Sequence, residues 1–278
     1  MILSCVAERT AKLQWILRRE LRISDGLVRR LKPKNAFSVN GEPSHTNRIV
    51  HPGDRVTAVI EEEAPDFPAQ DGPLTIVYED ESVILLDKPA GVIVHPTFTR
   101  EEGTLANYLL GYYQKTGQRC AVHVLTRLDR DTMGLVLYAK NAWVHALLMD
   151  AQAAGDVKKT YLARTRGWID REQGRIEAPI ARLAPGSLLR CVRADGKKAI
   201  TEYAVVNRTS PEDVSLELCP VTGRTHQLRV HCAYLGHPIL GDPQYGGGEG
   251  GQRLVCKRLR FRHPVTNEPM EFESGFTP

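Results

Sequence analysis

The sequence predicts an α+β protein. A larger body carries a mixed, largely antiparallel central sheet flanked by helices and loops, and a small N-terminal α/β domain precedes it. Three observations lead there. The 278 residues exceed the roughly 100–200 of one typical domain. Strand-like apolar runs recur without regular alternation with helices, which argues against a doubly wound parallel sheet. Charge is also uneven: through residue 60 eleven basic side chains face five acidic ones, a surplus of six, while the whole chain carries only +4. A basic appendage on a near-neutral body suits a polyanion-binding module joined to something else.

The elements follow in chain order. Leu13, Ile16, Leu17 and Leu21 fall at helical spacing, and Ser24 is placed to cap a second short helix holding Leu27, Val28 and Leu31. The remaining face of that helix displays Arg29, Arg30, Lys32 and Lys34. Phe37 and Val39 lead into Asn40-Gly41, a hairpin turn signal, and Pro52-Gly53 precedes a strand over Arg55–Ile60. Residues 61–73 hold three prolines, a glycine and a run of acids, with little to bury. This gives an N-terminal domain over residues 1–62, a linker over 63–73 and a main domain over 74–278. Beyond the linker, Ile76–Tyr78 and Val83–Leu86 read as a hairpin, Thr104–Tyr113 as a helix, Leu135–Ala139 as a buried strand and Ala142–Gln152 as a helix. Lys159–Ala163, Ala199–Val206 and Val214–Cys219 read as strands. Thr225–Leu235 reads as a helix that Gly236 stops.

Composition excludes several classes. Hydrophobic residues make up 42% and charged residues 25%, which is globular rather than disordered or fibrous. No apolar stretch approaches the ~20 residues of a bilayer crossing, and Met1–Cys5 does not open a secretory signal. Six cysteines lie scattered without Cys-x-x-Cys spacing, so unpaired thiols in a reducing cytoplasm are expected rather than zinc or disulfides. Gly246, Gly248 and Gly251 satisfy G-x-G-x-x-G outside any βαβ unit and read as a mobile surface loop. There is no P-loop and no nucleophile elbow, and His226 and His231 are spaced wrongly for H-E-x-x-H. Neither a metal nor a cofactor is expected.

Two stretches carry chemistry. His123–Leu137 places Arg127, Asp129, Arg130, Asp131 and Thr132 in a polar turn just before an apolar strand. A carboxylate among guanidinium groups can serve as nucleophile or electrostatic stabiliser, though a turn with ordinary ion pairs has the same composition. Thr222–His231 gathers two arginines, two histidines and a glutamine at an expected helix start, where anions are favoured. A solvated polar helix face is the alternative.

These residues resemble the pseudouridine synthases of the RluA/RluD type over essentially the whole chain. Asp87–Pro96 resembles the family's opening segment, Gly103–Asn107 the following helix start, and Arg127-Leu128-Asp129-Arg130-Asp131-Thr132-x-Gly134 the catalytic motif. Lys158–Ala163 and Thr222–Asp242 resemble the second and third motifs. The N-terminal piece is similar, more loosely, to the small αL RNA-binding domain first seen in a small-subunit ribosomal protein. The sequence departs from the family pattern at Thr126, where His or Asn is frequent, and at Met133, where Ser or Thr is. Neither change removes the carboxylate.

The resemblance implies a cofactor-free isomerisation of uridine in RNA: the N1–C1′ bond breaks, the base turns, and C5 bonds to C1′. It implies Asp129 as the catalytic carboxylate, by attack or by elimination at the sugar. Arg229 would be its ionic partner, Tyr161 the aromatic that stacks on the base and handles a proton, and Leu228 an apolar wall. The target must be flipped out of its stack. Arg127 is then the candidate to fill the vacated space, Arg224, His226 and His231 the candidates for phosphate contacts, and Arg29, Arg30, Lys32 and Lys34 the sequence-independent grip. The expected partner is structured RNA, large-subunit rRNA first and tRNA second, for a cytoplasmic monomer that touches no membrane. Two other readings stay open: an RNA-binding factor without catalysis, and a hydrolase using Asp129 with His226 or His123 as base.

Overall fold

Apolar side chains three and four residues apart become the inner faces of two short helices in the computed structural model, which describes residues 1–63, 65–97, 100–210 and 212–278. Leu13, Ile16 and Leu17 are buried on the helix Leu13–Arg19, and Leu27, Val28 and Leu31 on the helix Asp25–Leu31. The Ser24 hydroxyl accepts the Leu27 amide hydrogen at 3.3 Å, the N-terminal cap its residue type predicts. Asn40 and Gly41 both take positive φ, 54° and 85°, and turn Phe37–Val39 back onto Glu42–Pro43. Arg55–Val59 pairs antiparallel with Phe37–Val39 on one side and Ile2–Val6 on the other. The Ile2–Val6 strand turns Leu3 and Cys5, both half-buried, onto the apolar cluster of this N-terminal piece.

The connector is not loose. Gln70 accepts the Gly103 amide hydrogen on its side chain at 2.7 Å and donates its own amide to Asn107 O at 3.0 Å. Asn107 in turn donates to Pro68 O at 2.8 Å. These hydrogen bonds, with Phe67 and Ala69 packed against the main apolar cluster, hold the segment; Ala64 of the expected linker lies outside the described residues. The N-terminal piece also docks on the helix Ala142–Ala154. Trp143 Nε1 donates to Leu21 O at 3.0 Å, and Arg22 donates to Pro264 O at 3.2 Å. The Glu62 carboxylate accepts the Ala142 amide at 2.7 Å and lies 3.1 Å from His123 Nε2. Burial works to raise the Glu62 carboxyl, but the bonds from His123 and Ala142 together leave it below its ordinary range.

The main body is built on one ten-stranded sheet. Its path runs Gln173–Glu177, Ile200–Ser210, Asp213–Pro220, Lys158–Thr165, Leu254–Arg262, Met133–Ala139, Val83–Lys88 and Ile76–Glu79. Pro269–Glu273 and His123–Val124 pair alongside. Every pairing is antiparallel except Met133–Ala139 with Leu254–Arg262, which makes the sheet mixed, as expected. A single apolar cluster spans its centre, from Leu85 and Leu137 to Ala163 and Leu216. The helix Leu105–Lys115 begins in a reciprocal Thr104–Asn107 capping box and covers one face. Among the described residues all six cysteines are unpaired, and no helix is long and apolar enough to cross a membrane.

Candidate active site

The one parallel crossing sets the position of the polar turn. Met133 and Gly134 pair with Val255 and Cys256 as the central strand begins, and residues 127–132 hang just ahead of it. Gly134 has φ 107°, and a Cβ there would run into the Cys256 backbone, so only glycine fits. Thr126 enters from behind: its buried hydroxyl accepts the Leu137 amide hydrogen at 3.0 Å and ties the turn to the strand.

Lys88 ties it from the other side. Its ammonium, fully buried, donates to the carbonyls of Pro89, Val92 and Arg130, each at 2.8 Å. Burial lowers its pKa to about 8, against the pull of Asp131 and Asp129, so at neutral pH it keeps the proton and all three bonds. Lys88→Met leaves three carbonyls without a donor; the expected loss is about 3 kcal/mol in unfolding free energy, with a lower turnover number because the Arg130 anchor is gone. Urea melts beside single-turnover assays check this.

Asp129 is partly accessible, with 28% of its side chain exposed. Arg229 Nη1 donates to its Oδ2 at 3.2 Å from the helix Gln227–Tyr234. The rest of that guanidinium is engaged behind: Nε and Nη2 hold Asp242 at 2.7 and 2.8 Å, and Nη2 also donates to Gln244 Oε1 at 2.7 Å. The Tyr245 ring lies over it, 4.8 Å from Cζ to the ring centroid. Gln252 closes a circuit, donating to Asp242 at 3.2 Å and accepting from the Thr132 hydroxyl at 2.8 Å. One cation thus holds a fully buried carboxylate with one arm and presents a second, accessible carboxylate with the other.

Residues 82–234 match the RNA pseudouridylate synthases. A Bacillus subtilis protein described as the uncharacterized RNA pseudouridine synthase YjbO is 39% identical over 261 residues, covering 92% of each chain. Ribosomal large subunit pseudouridine synthase D of Vibrio parahaemolyticus is 36% identical over 255 residues, 85% of this chain and 78% of that one. The solved structure titled human RNA pseudouridylate synthase domain containing 1 superposes with a TM-score of 0.61 at 27% identity, covering 75% of this chain and 86% of that one. The chain belongs to the RNA pseudouridylate synthase family. It is therefore an isomerase that converts uridine to pseudouridine in RNA.

In this synthase Asp129, Arg229, Leu228 and Tyr161 come together. Leu228 and Tyr161 are buried in the same apolar cluster, with Tyr161 facing Cys256 across the strand pair and within the field of Asp129. Burial, with Cys256 and Asp129 adding to it, pushes the Tyr161 phenol well above its ordinary range. It stays protonated and has no basic form near neutrality. Arg127 is exposed and, among the described residues, makes no hydrogen bond or ion pair, so it is available to RNA. Arg224 is exposed with its Nε on Lys198 O at 3.0 Å.

Five expectations need correction. His231 contacts no phosphate: it is wholly buried, bonded to Thr201 at 2.9 Å and Ala178 O at 3.0 Å, a core histidine mistaken for a surface one. His226 is turned inward, its side chain only 15% exposed, with Nδ1 on the Tyr245 hydroxyl and Nε2 4.0 Å from the Asp129 carboxylate, rather than presented at the rim. That distance also lies outside hydrogen-bond reach, and His123 is taken by Glu62, so neither histidine makes the bond to the Asp129 carboxylate that the hydrolase reading requires. The helix starts at Gln227 rather than Thr225, because Gln227 Oε1 gathers the Thr222 hydroxyl at 2.8 Å and the Arg224 amide at 3.0 Å into a turn. The glycine tract lies at the surface except at Gly247, which is buried: it donates to Asp242 O at 2.8 Å, and a Cβ on it would meet Ile239 O, so the tract is pinned there behind Asp242.

On the N-terminal helix Arg29, Arg30 and Lys32 are exposed, but Lys34 is paired with Glu63 at 2.9 Å and is less free to bind RNA. Sequence reading missed the roles of Lys88, Asp242, Gln244, Tyr245 and Gln252. Gly241-Asp242-x-x-Tyr245, at the end of the third motif, was the available signal.

Proposed function

We propose that this synthase modifies large-subunit rRNA, with Asp129 acting at ribose C1′ of a flipped uridine. The observation that supports this most is the accessible Asp129 carboxylate held on Arg229, with Tyr161 and Leu228 beside it. The name of the Vibrio relative supports the choice of RNA; tRNA is the second choice. Arg229 fixes the carboxylate and favours its charged form, and Leu228 with the Tyr161 ring walls the base. Arg127 occupies the place the base leaves, and Arg224 meets a phosphate at the rim. Arg29, Arg30 and Lys32 add salt-dependent, sequence-independent grip from an αL-type domain on a monomeric, cytoplasmic enzyme.

Mapping pseudouridines by carbodiimide adducts and reverse transcription, in rRNA and tRNA from cells with and without the gene, tests the reading. One or a few large-subunit stops that vanish with the gene support it. Stops lost only from tRNA overturn the choice of RNA.

A further inference from the structure

His226 holds φ 56°, a left-handed conformation that a side chain like this keeps only under constraint. Tyr245 supplies that constraint. The two rings meet edge to face, 5.7 Å between centroids at 81°, and His226 Nδ1 lies 2.8 Å from the Tyr245 hydroxyl. The same oxygen accepts the Arg190 amide hydrogen at 3.0 Å. On the opposite side of the imidazole, Nε2 stands 4.0 Å from Asp129 Oδ2. A charge-assisted bond from an Nε2–H would close to about 2.7–2.9 Å. In the tautomer that carries the ring proton on Nδ1 and donates it to Tyr245, Nε2 keeps a lone pair beside the reacting carboxylate.

We infer that His226 Nε2 is the base that removes the C5 proton in pseudouridine formation. The inference rests on the assignment of Asp129 to ribose C1′. Once C5 has bonded to C1′, C5 still carries its hydrogen and the ring holds an N1=C6 double bond. Nε2 takes that hydrogen as a proton. The C5–H electron pair forms C5=C6, the N1=C6 pair moves to N1, and N1 takes a proton from water. The imidazolium returns its proton to water, so one proton has passed from C5 to N1 and nothing is oxidised or reduced.

Position and charge both fit. C5 is then one bond from the carbon that Asp129 addresses, so its base must stand within a few ångströms of that carboxylate. Tyr161 is locked as a neutral phenol and Arg229 is a cation. The charged groups facing His226 are Asp129, Arg229, Arg190 and Asp242, beside the Tyr245 hydroxyl. Burial lowers its pKa; Asp129 and Asp242 oppose this, while Arg229 and Arg190 add to it, and the balance lies below 6.5. The imidazole is neutral at pH 7. Because it works deprotonated, the rate falls as pH drops through a value below 6.5.

His226→Asn is the test, since Asn tolerates the left-handed backbone. The full chain reacts in single turnover with in vitro transcribed large-subunit rRNA made with 5-deuterouridine. The expected loss is about 10²–10⁴-fold. The C5 deuterium isotope effect grows beyond that of the wild type, the acid limb below pH 6.5 disappears, and added imidazole restores rate. Tyr245→Phe keeps the ring over Arg229 but removes the oxygen holding Nδ1; it loses about tenfold, the worth of one hydrogen bond, and keeps the acid limb. A His226→Asn rate equal to the wild type overturns the inference. So does a lowered rate with an unchanged isotope effect and no response to imidazole. Asp129→Asn runs in parallel: if that variant turns over normally, the underlying reading fails, and if it is inactive while His226→Asn is normal, only the role of His226 falls.

Discussion

Asp129→Asn is expected to abolish pseudouridine formation, with single-turnover rate falling on the order of 10⁴-fold or more, while RNA affinity stays within a few-fold. The substitution is nearly isosteric. An amide oxygen can still accept from Arg229 Nη1, now 3.2 Å from Oδ2, so the guanidinium keeps a partner and its grip on Asp242 is untouched. With 28% of the side chain exposed, the uncharged amide costs little stability. What disappears is the negative charge, and either route at the sugar needs it: attack on C1′ needs an anionic nucleophile, and elimination needs a carboxylate base. RNA affinity should hold because it depends on exposed cations such as Arg127 and Arg29, and loss of one acid beside the phosphates works slightly in its favour. Tritium release from C5-labelled rRNA, measured with filter binding on the same preparation, checks both halves. Wild-type turnover in this variant would sink the assignment of Asp129.

The contrast between Asp129 and its support shows what the sequence could carry. Asp129 sits in a dense local run, Arg127 to Gly134, whose spacing is itself the signal. Its supporting groups lie far off along the chain. Asp242 reaches Arg229 from thirteen residues away, and Gln252 meets Thr132 from 120 residues away. Such partners are set by sheet order, and that order depended on a strand the apolar pattern hides. Leu254–Arg262 lies between Lys158–Thr165 and Met133–Ala139 at the heart of the sheet, yet it holds Lys257, Arg258, Arg260 and Arg262. Lys257 pairs with Glu273 at 3.1 Å, and Arg258 and Arg260 with Glu271 at 3.4 and 2.8 Å. A strand whose cations are matched on the neighbouring Pro269–Glu273 reads as solvated chain until that neighbour is known. The same gap turned His231 into a surface group and the glycine tract into a free loop. His231 and Gly247 are buried by segments that local periodicity does not bring near them.

Arg229→Met should damage the protein twice, and the two losses can be separated. Asp242 has no exposed side-chain surface, and its oxygens face Arg229 at 2.7 and 2.8 Å, with Gln252 and the Gln244 amide at 3.2 Å as weaker donors. Removing the guanidinium strands a buried carboxylate, which costs about 3–5 kcal/mol. That is a large share of a typical 5–15 kcal/mol of stability, and a fall of roughly 10 °C in melting temperature follows. Activity falls with it, because Asp129 loses its closest ionic partner among the described residues. Arg229→Lys is no rescue: a single ammonium cannot reach Asp129, Asp242 and Gln244 together as the planar fork does. The double variant Arg229→Met, Asp242→Leu removes the stranded charge and should recover most of the melting temperature, since a buried pair replaced by apolar groups is often neutral. Its turnover should stay as low as that of Arg229→Met alone, because Asp129 still lacks its cation. Differential scanning calorimetry and single-turnover assays on the three variants decide the matter. A double variant that regains wild-type rate along with its stability would mean that Arg229 serves the fold through Asp242 and that Asp129 needs no guanidinium to react.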